Sequence, residues 1–235
     1  VLNGRNTERL EKTAAELTLA GARVLAVSGD VSNPEACQHL IDACMETFGR
    51  IDILINNAGM NMFGTIEASD AQALHRIMDI NFWGAVWATQ AAIPHLRQSR
   101  GYVLFMSSIA AFHGLPLHAA YSASKRALAS LAESLRIENH DSGIDFGVAF
   151  IGLTETDEAK TVYDQEGRPI QRPPAPGAPK PQPIGVVTPA LRQMLIHRQK
   201  QQVFSTIGRI NHWVNRLAPG IAHYFLLNNY KKRHL

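Results

Sequence analysis

Apolar positions recur along the chain in two alternating periods. Between Thr7 and Ala20, Leu10, Ala14 and Leu17 fall three or four apart and Gly21 follows, the pattern of a helix reached through Gly4-Arg5-Asn6 from a strand end at Val1-Leu2. Arg23 to Val27 is a short β-branched run that reads as a strand. Asn33 to Phe48 reads as a helix with Pro34 in its first turn. Ile51 to Ile55, apolar but for Asp52, reads as a strand of the kind buried on both faces. A helix over Ser69 to Leu96, a strand at Tyr102 to Met106, an Ala-rich helix over Ala119 to Asn139 and a strand at Asp145 to Phe150 continue the alternation. Strand and helix taking turns in this way predict one α/β domain, a doubly wound parallel sheet of Rossmann-like form with helices on both faces.

Beyond Gly167 the pattern changes. Eight prolines stand between Pro169 and Pro189, and a stretch so rich in proline is expected to be an extended loop without helix or ladder hydrogen bonds. Ala190 to Gln202 reads as helical, and Ile207 to Tyr230, interrupted by Pro219-Gly220, as two short helices.

With 235 residues, 46% hydrophobic and 18% charged, a folded monomer should expose about 10,500 Å² and bury ~70% of its unfolded surface. No apolar run approaches the ~18 residues of a membrane span. Cys37 and Cys44 lie seven apart in one predicted helix, about 10 Å along the axis and too far for a disulfide. They read as free thiols of a reducing compartment. No basic start with an apolar core and cleavage site opens the chain, so the cytoplasm is the expected location.

Charge adds an asymmetry. Residues 1–166 hold all 20 acids and 12 bases, net −8, whereas the last 69 residues hold 11 bases and no acid. That is either a solvated basic surface or an attraction to an anionic partner.

The candidate chemistry centres on Tyr121 and Lys125, four apart and therefore on one helix face. Such pairs arise by chance on many helices, but this one has company. Ser108 lies thirteen residues before Tyr121, just after an apolar strand, at the carboxyl edge where doubly wound sheets bind ligands. Asn56-Asn57-Ala58-Gly59 and Asp30-Val31 follow two other strands at the same edge. Asn81 sits inside a predicted helix where asparagine has no propensity advantage.

In order and spacing, Asn56-Asn57-Ala58-Gly59, Asn81, Ser108 and Tyr121-Ser-Ala-Ser-Lys125 resemble the short-chain dehydrogenase/reductase family. The resemblance covers about residues 1–157. It implies an oxidoreductase in which Tyr121 is general acid or base, Ser108 bonds the substrate oxygen, Lys125 holds the nicotinamide ribose and tunes Tyr121, and Asn81 links Lys125 to solvent through a water. It also implies that Asn56, Ala58 and Gly59 approach the adenosine ribose, Asp30 and Val31 the adenine, and Thr154 and Thr156 the carboxamide. Gly4-Arg5 stands where an NAD-preferring chain carries an acid, and an arginine can bind a 2′-phosphate bidentately, so NADP(H) is the expected cofactor.

Two departures accompany the resemblance. The family's Gly-rich turn belongs roughly 25 residues before Val1, which implies a truncated N-terminus and leaves a catalytically silent fragment or oligomerisation partner as the rival reading. Ile151-Gly152 stands in place of the family's Pro-Gly. The expected organisation is an N-terminally incomplete dinucleotide-binding core at 1–157, a Pro-rich substrate loop at 158–189 and a basic helical segment at 190–235. No metal site is expected, since His113, His118 and the other histidines form no ligand spacing, and dispersed cations argue against nucleic acid. Val86 to Ile93 and Ala127 to Leu135 are either sheet-packing faces or, as the family implies, the interface of a homodimer or homotetramer. Arg209 to Arg233 mixes Trp213, Tyr224 and Phe225 with cations, an interfacial composition. It reads either as a peripheral membrane contact or as a packed cap. Similar tails occur in family members that act on lipid-like ketones, including 11β-hydroxysteroid dehydrogenase-like proteins.

Overall fold

Short polar side chains cap the starts of several helices. The computed structural model describes residues 1–155, 162–170 and 180–234, apart from the side chains of 232–234. Strand β1 (Leu2–Gly4) leads to helix α1 (Thr7–Leu19), where the Asn6 side chain accepts from the Arg9 N–H at 2.8 Å. Strand β2 (Ala26–Ser28) pairs parallel to β1. Helix α2 (Pro34–Phe48) is capped by Asn33, which accepts from the Ala36 N–H, and stops at Gly49, whose φ of +74° suits a residue without a Cβ.

Next come β3 (Ile53–Asn56), β4 (Asn61–Met62) and α3 (Ala71–Met78), the last capped by Asp70. Strand β5 (Tyr102–Ser108) follows α4 (Gly84–Ser99), and β6 (Asp145–Ile151) follows α5 (Ala119–Glu138). The later elements are β7 (Val162–Tyr163), β8 (Pro169–Ile170), α6 (Ile184–Ile196), β9 (Gln201–Val203), α7 (Thr206–Leu217) and α8 (Pro219–His234).

The central sheet is parallel, in the order β3-β5-β6-β9. Because side chains alternate along a strand, β5 serves two cores. Val103 and Phe105 join Leu96 of α4 and Leu128 and Leu135 of α5 on one face, while Tyr102 and Leu104 join Met194 of α6 on the other. Helices on both faces make the sheet doubly wound. Close approach is bought by glycine at Gly147, where a Cβ would overlap the Tyr102 hydroxyl that donates to the Gln199 carbonyl at 2.7 Å.

Four local expectations need correction. Ile53 and Ile55 are 46% and 43% exposed, not buried on both faces: β3 pairs only with β5, and α1 packs on β1 and β2 instead of covering β3. The predicted helix over Ser69 to Leu96 starts later, at Ala71, and is interrupted by a π-helical turn at Asp79–Trp83. Helix α6 begins at Ile184, inside the proline-rich stretch, because Ile184 to Thr188 contains no proline; Pro189 then forfeits only one helical hydrogen bond. Pro169-Ile170 likewise forms a short antiparallel pairing with β7. Gln202 lies in β9, beyond the end of α6 at Ile196.

Candidate active site

Parallel register sets the floor of the site. Asn56 pairs with Phe105 and Ser108 with Ile151, so the carboxyl ends of β3, β5 and β6 open on one crevice. A cavity of about 480 Å³ lies there, lined among others by Gly59, Ser108, Tyr121, Lys125 and Thr154. A larger surface depression of about 740 Å³ beside Arg136, His140 and Lys200 contains none of the predicted groups.

Ser108 is the last residue of β5, and its hydroxyl accepts from the Ala110 N–H at 3.2 Å, capping a 3₁₀ turn at Ile109–Ala111. That hydroxyl also hydrogen-bonds the Tyr121 phenol. Tyr121 lies in the first turn of α5, and burial raises its pKa above the ordinary tyrosine value, with the Ser108 bond opposing the rise. The phenol is therefore neutral. Lys125, one turn on, is buried; its Nζ lies 5.9 Å from the centre of the Tyr121 ring and donates to the Met106 carbonyl at 2.8 Å. Lys125, which the resemblance makes a tuner of Tyr121, thus stands one helical turn from a phenol that burial and Ser108 also influence.

Asn81 occupies the π-helical turn and is 1% exposed. Its Oδ1 accepts from the Met60 N–H at 2.7 Å, and its Nδ2 donates to the Met60 carbonyl at 2.9 Å and the Ser124 hydroxyl at 3.0 Å. A Cβ on Gly59 would lie 3.2 Å from the Lys125 Nζ and 3.3 Å from the Asn81 Oδ1. Gly59, Asn81 and Lys125 therefore converge.

The remaining residues spread along the crevice. Asn56 Nδ2 donates to the Thr89 hydroxyl at 3.0 Å, and Ala58 and Gly59 are exposed beyond it. Val31 packs against Gly84, where a Cβ would come within 2.7 Å of it. Asp30 accepts from the Ser32 N–H and hydroxyl and lies 3.7 Å from Arg5. Desolvation raises the Asp30 pKa, but the Ser32 bonds and the charges of Arg5 and Arg76 outweigh it and leave the pKa below the ordinary carboxylate value. Thr154 borders the cavity, its hydroxyl donating to the Gly152 carbonyl at 3.2 Å. Thr156 lies outside the described residues.

Several contributors had no signal in the pattern. The Met106 carbonyl, Thr89 and Ser32 act through hydrogen bonds that depend on the fold. Ser124 had one, its place inside Tyr121-Ser-Ala-Ser-Lys125, where its hydroxyl also donates to the Tyr121 carbonyl at 2.8 Å. His118 lines the cavity, its Nδ1 3.1 Å from both Asn61 Oδ1 and the Met62 carbonyl. Among the described residues no cluster of three metal-ligating side chains occurs.

A family model described as short chain dehydrogenase matches residues 1–167. The 11-beta-hydroxysteroid dehydrogenase 1A of Arabidopsis thaliana is 39% identical over 189 residues, covering 75% of this chain and 54% of that protein. The 11-beta-hydroxysteroid dehydrogenase of Pinus massoniana is 35% identical over 189 residues, 76% of this chain and 53% of its own length. The chain thus spans about half the length of the curated relatives it matches. A short-chain dehydrogenase from Streptomyces avermitilis shares the fold at a TM-score of 0.80 and 24% identity, over 98% of this chain and 88% of that one. An alcohol dehydrogenase from the archaeon Thermococcus sibiricus, complexed with 5-hydroxy-NADP, gives a TM-score of 0.73 at 25% identity, over 86% and 83% of the two chains.

Proposed function

The chain belongs to the short-chain dehydrogenase family, and from that premise we propose that it transfers a hydride between NADP(H) and a lipophilic ketone or secondary alcohol, with Tyr121 giving or taking the proton. The observation that carries this reading is the convergence of Ser108, Tyr121 and Lys125 on one cavity at the carboxyl edge of a parallel sheet.

The residues present suit a nicotinamide cofactor. Gly59 leaves open the space that a Cβ would take beside Lys125 and Asn81, and Arg5 offers a cation next to Gly4, where an acid would repel a 2′-phosphate. Lys125, Asn56, Ala58, Gly59, Thr154 and Thr156 would hold the cofactor, Asp30 and Val31 its adenine end, and Arg5 its phosphate. The bound nicotinamide supplies the hydride.

In reduction, the Tyr121 Oη delivers its proton to the carbonyl oxygen as hydride reaches the carbon, and the Ser108 hydroxyl donates a hydrogen bond to the same oxygen. Burial suits Tyr121 to the donor role because it keeps the phenol protonated at neutral pH. Asn81, committed to Met60 and Ser124, holds Gly59 against Lys125, and a water between Asn81 and Lys125 would complete the relay to solvent. The lipophilic substrate class is supported by Met60, Ile109, Leu115 and Leu153 in the cavity wall and by the hydroxysteroid dehydrogenase relatives. The Thermococcus sibiricus neighbour, complexed with an NADP derivative, supports the cofactor choice.

Homo-oligomerisation through the outer faces of α4 and α5 belongs to the same reading, supported by exposed Trp83 stacked on Trp87. So does residence in the cytoplasm; among the described residues no helix is long and apolar enough to cross a membrane.

Tyr121→Phe tests the core of the proposal. Turnover should fall by roughly 10²–10⁴-fold while NADPH affinity, titrated by fluorescence, stays near that of the parent. Near-parental turnover in the variant would overturn it.

A further inference from the structure

Helix α7 is turned the wrong way round for a packed helix. Amphipathic surface helices bury their apolar stripe, yet here the inward face is Gly208, Asn211, His212 and Asn215. Gly208 is buried so closely that a Cβ would lie 2.7 Å from Ile109. The Asn215 amide donates to the Phe112 carbonyl, the Asn211 amide lies 3.3 Å from His113 Nδ1, and the His212 ring packs 4.7 Å from that of Phe112. The outward face is Ile207, Ile210, Trp213 and Leu217, exposed by 57% to 76%. Exposed Arg209 and Arg216 flank it. Helix α8 buries Ala222 and likewise leaves Ile221, Tyr224 and Phe225 exposed, with exposed Lys231 further along.

We propose that the outward faces of α7 and α8 dock the protein on an anionic lipid bilayer surface, with Trp213, Tyr224 and Phe225 at headgroup depth and Arg209, Arg216 and Lys231 against lipid phosphates. An aromatic and aliphatic stripe edged by cations is the composition of an interfacial helix. The charge selects the occupant: α7 and α8 carry five bases, Arg209, Arg216, Lys231, Lys232 and Arg233, and no acid, so a two-fold contact between copies would set these cations against themselves. The inward face of α7 packs against the 3₁₀ turn that follows Ser108. Docking therefore holds a wall of the cavity close to the bilayer, where a lipophilic ketone would be concentrated; this last link rests on the function proposed above, whereas the docking does not.

The test is co-sedimentation of the protein with vesicles of phosphatidylcholine alone or mixed with phosphatidylserine, beside reduction of a water-soluble ketone without vesicles. The parent should bind the mixed vesicles at low salt at least tenfold more tightly than the neutral ones. Combined Ile210→Ser, Trp213→Ser and Leu217→Ser should abolish binding. Arg209→Gln with Arg216→Gln should weaken it roughly thirtyfold at low salt and much less at high salt. Circular dichroism should report unchanged folding, since every altered side chain is exposed.

A parent that stays in the supernatant with mixed vesicles overturns the docking, whatever the variants do. So does a folded triple-serine variant that binds like the parent, or one that changes only from oligomer to monomer, which would assign the stripe to a contact between copies. Vesicle binding without ketone turnover would sink the catalytic reading and leave the docking standing; turnover without vesicle binding would do the reverse.

Discussion

Two opposed influences act on the phenol of Tyr121, the proton donor of the proposed reaction, and their balance can be read in a pH profile. Burial raises its pKa and the Ser108 hydrogen bond lowers it. A proton donor works while protonated, so kcat/KM for reduction should be flat through neutral pH and fall as pH rises through the Tyr121 pKa. Ser108→Ala removes the lowering influence, so the fall should move to higher pH as the plateau rate drops. A fall that stayed in place or moved to lower pH would separate Ser108 from Tyr121. If the proposed cofactor reading holds Arg5 to the 2′-phosphate, Arg5→Ala should raise the KM for NADPH and leave that for NADH little changed, and steady-state kinetics with both cofactors would show it. The identities and spacing of Ser108, Tyr121 and Lys125 were legible in the chain because one strand end and one helical turn determine their relation. The carbonyl that holds Lys125, at Met106, was not, since a backbone acceptor carries no residue-type signal.

Among the elements, the π-helical turn at Asp79–Trp83 is the informative surprise. The chain pattern predicted one helix across it, because a single widened turn carries no residue-type signal of its own. Its consequence is specific: Asn81 reaches the Met60 backbone and Ser124 together. Asn81→Ala would leave the buried Met60 groups unpaired, a cost of about 1–3 kcal/mol. Urea unfolding should show that loss with the slope unchanged, and a variant as stable as the parent would contradict the assignment. Helix α6 teaches the converse lesson, since a high local count of prolines hid a proline-free stretch long enough to start a helix before Pro189. The exposure of Ile53 and Ile55 was hidden for another reason: an apolar run shows that a strand can be covered, and only the arrangement of neighbouring helices decides whether it is.

For the whole molecule, the alternation of strands and helices sufficed for the doubly wound parallel architecture, while the way the surface divides became visible only in three dimensions. An acidic body carries the crevice, and a basic end presents its apolar stripe outward. The two meet where α7 packs beside the turn after Ser108. That a hydride passes within this crevice to a bulky carbonyl carbon is the claim on which the functional account stands. It is tested most directly by single-turnover reduction of a lipophilic ketone with NADPH carrying deuterium at the transferable position, followed by mass analysis of the alcohol. The account predicts one deuterium on the carbinol carbon with the parent protein and formation of the same labelled alcohol roughly 10²–10⁴-fold more slowly with Tyr121→Phe loaded with the same cofactor. Unlabelled alcohol from the parent, or equally fast formation by the two proteins, would contradict it.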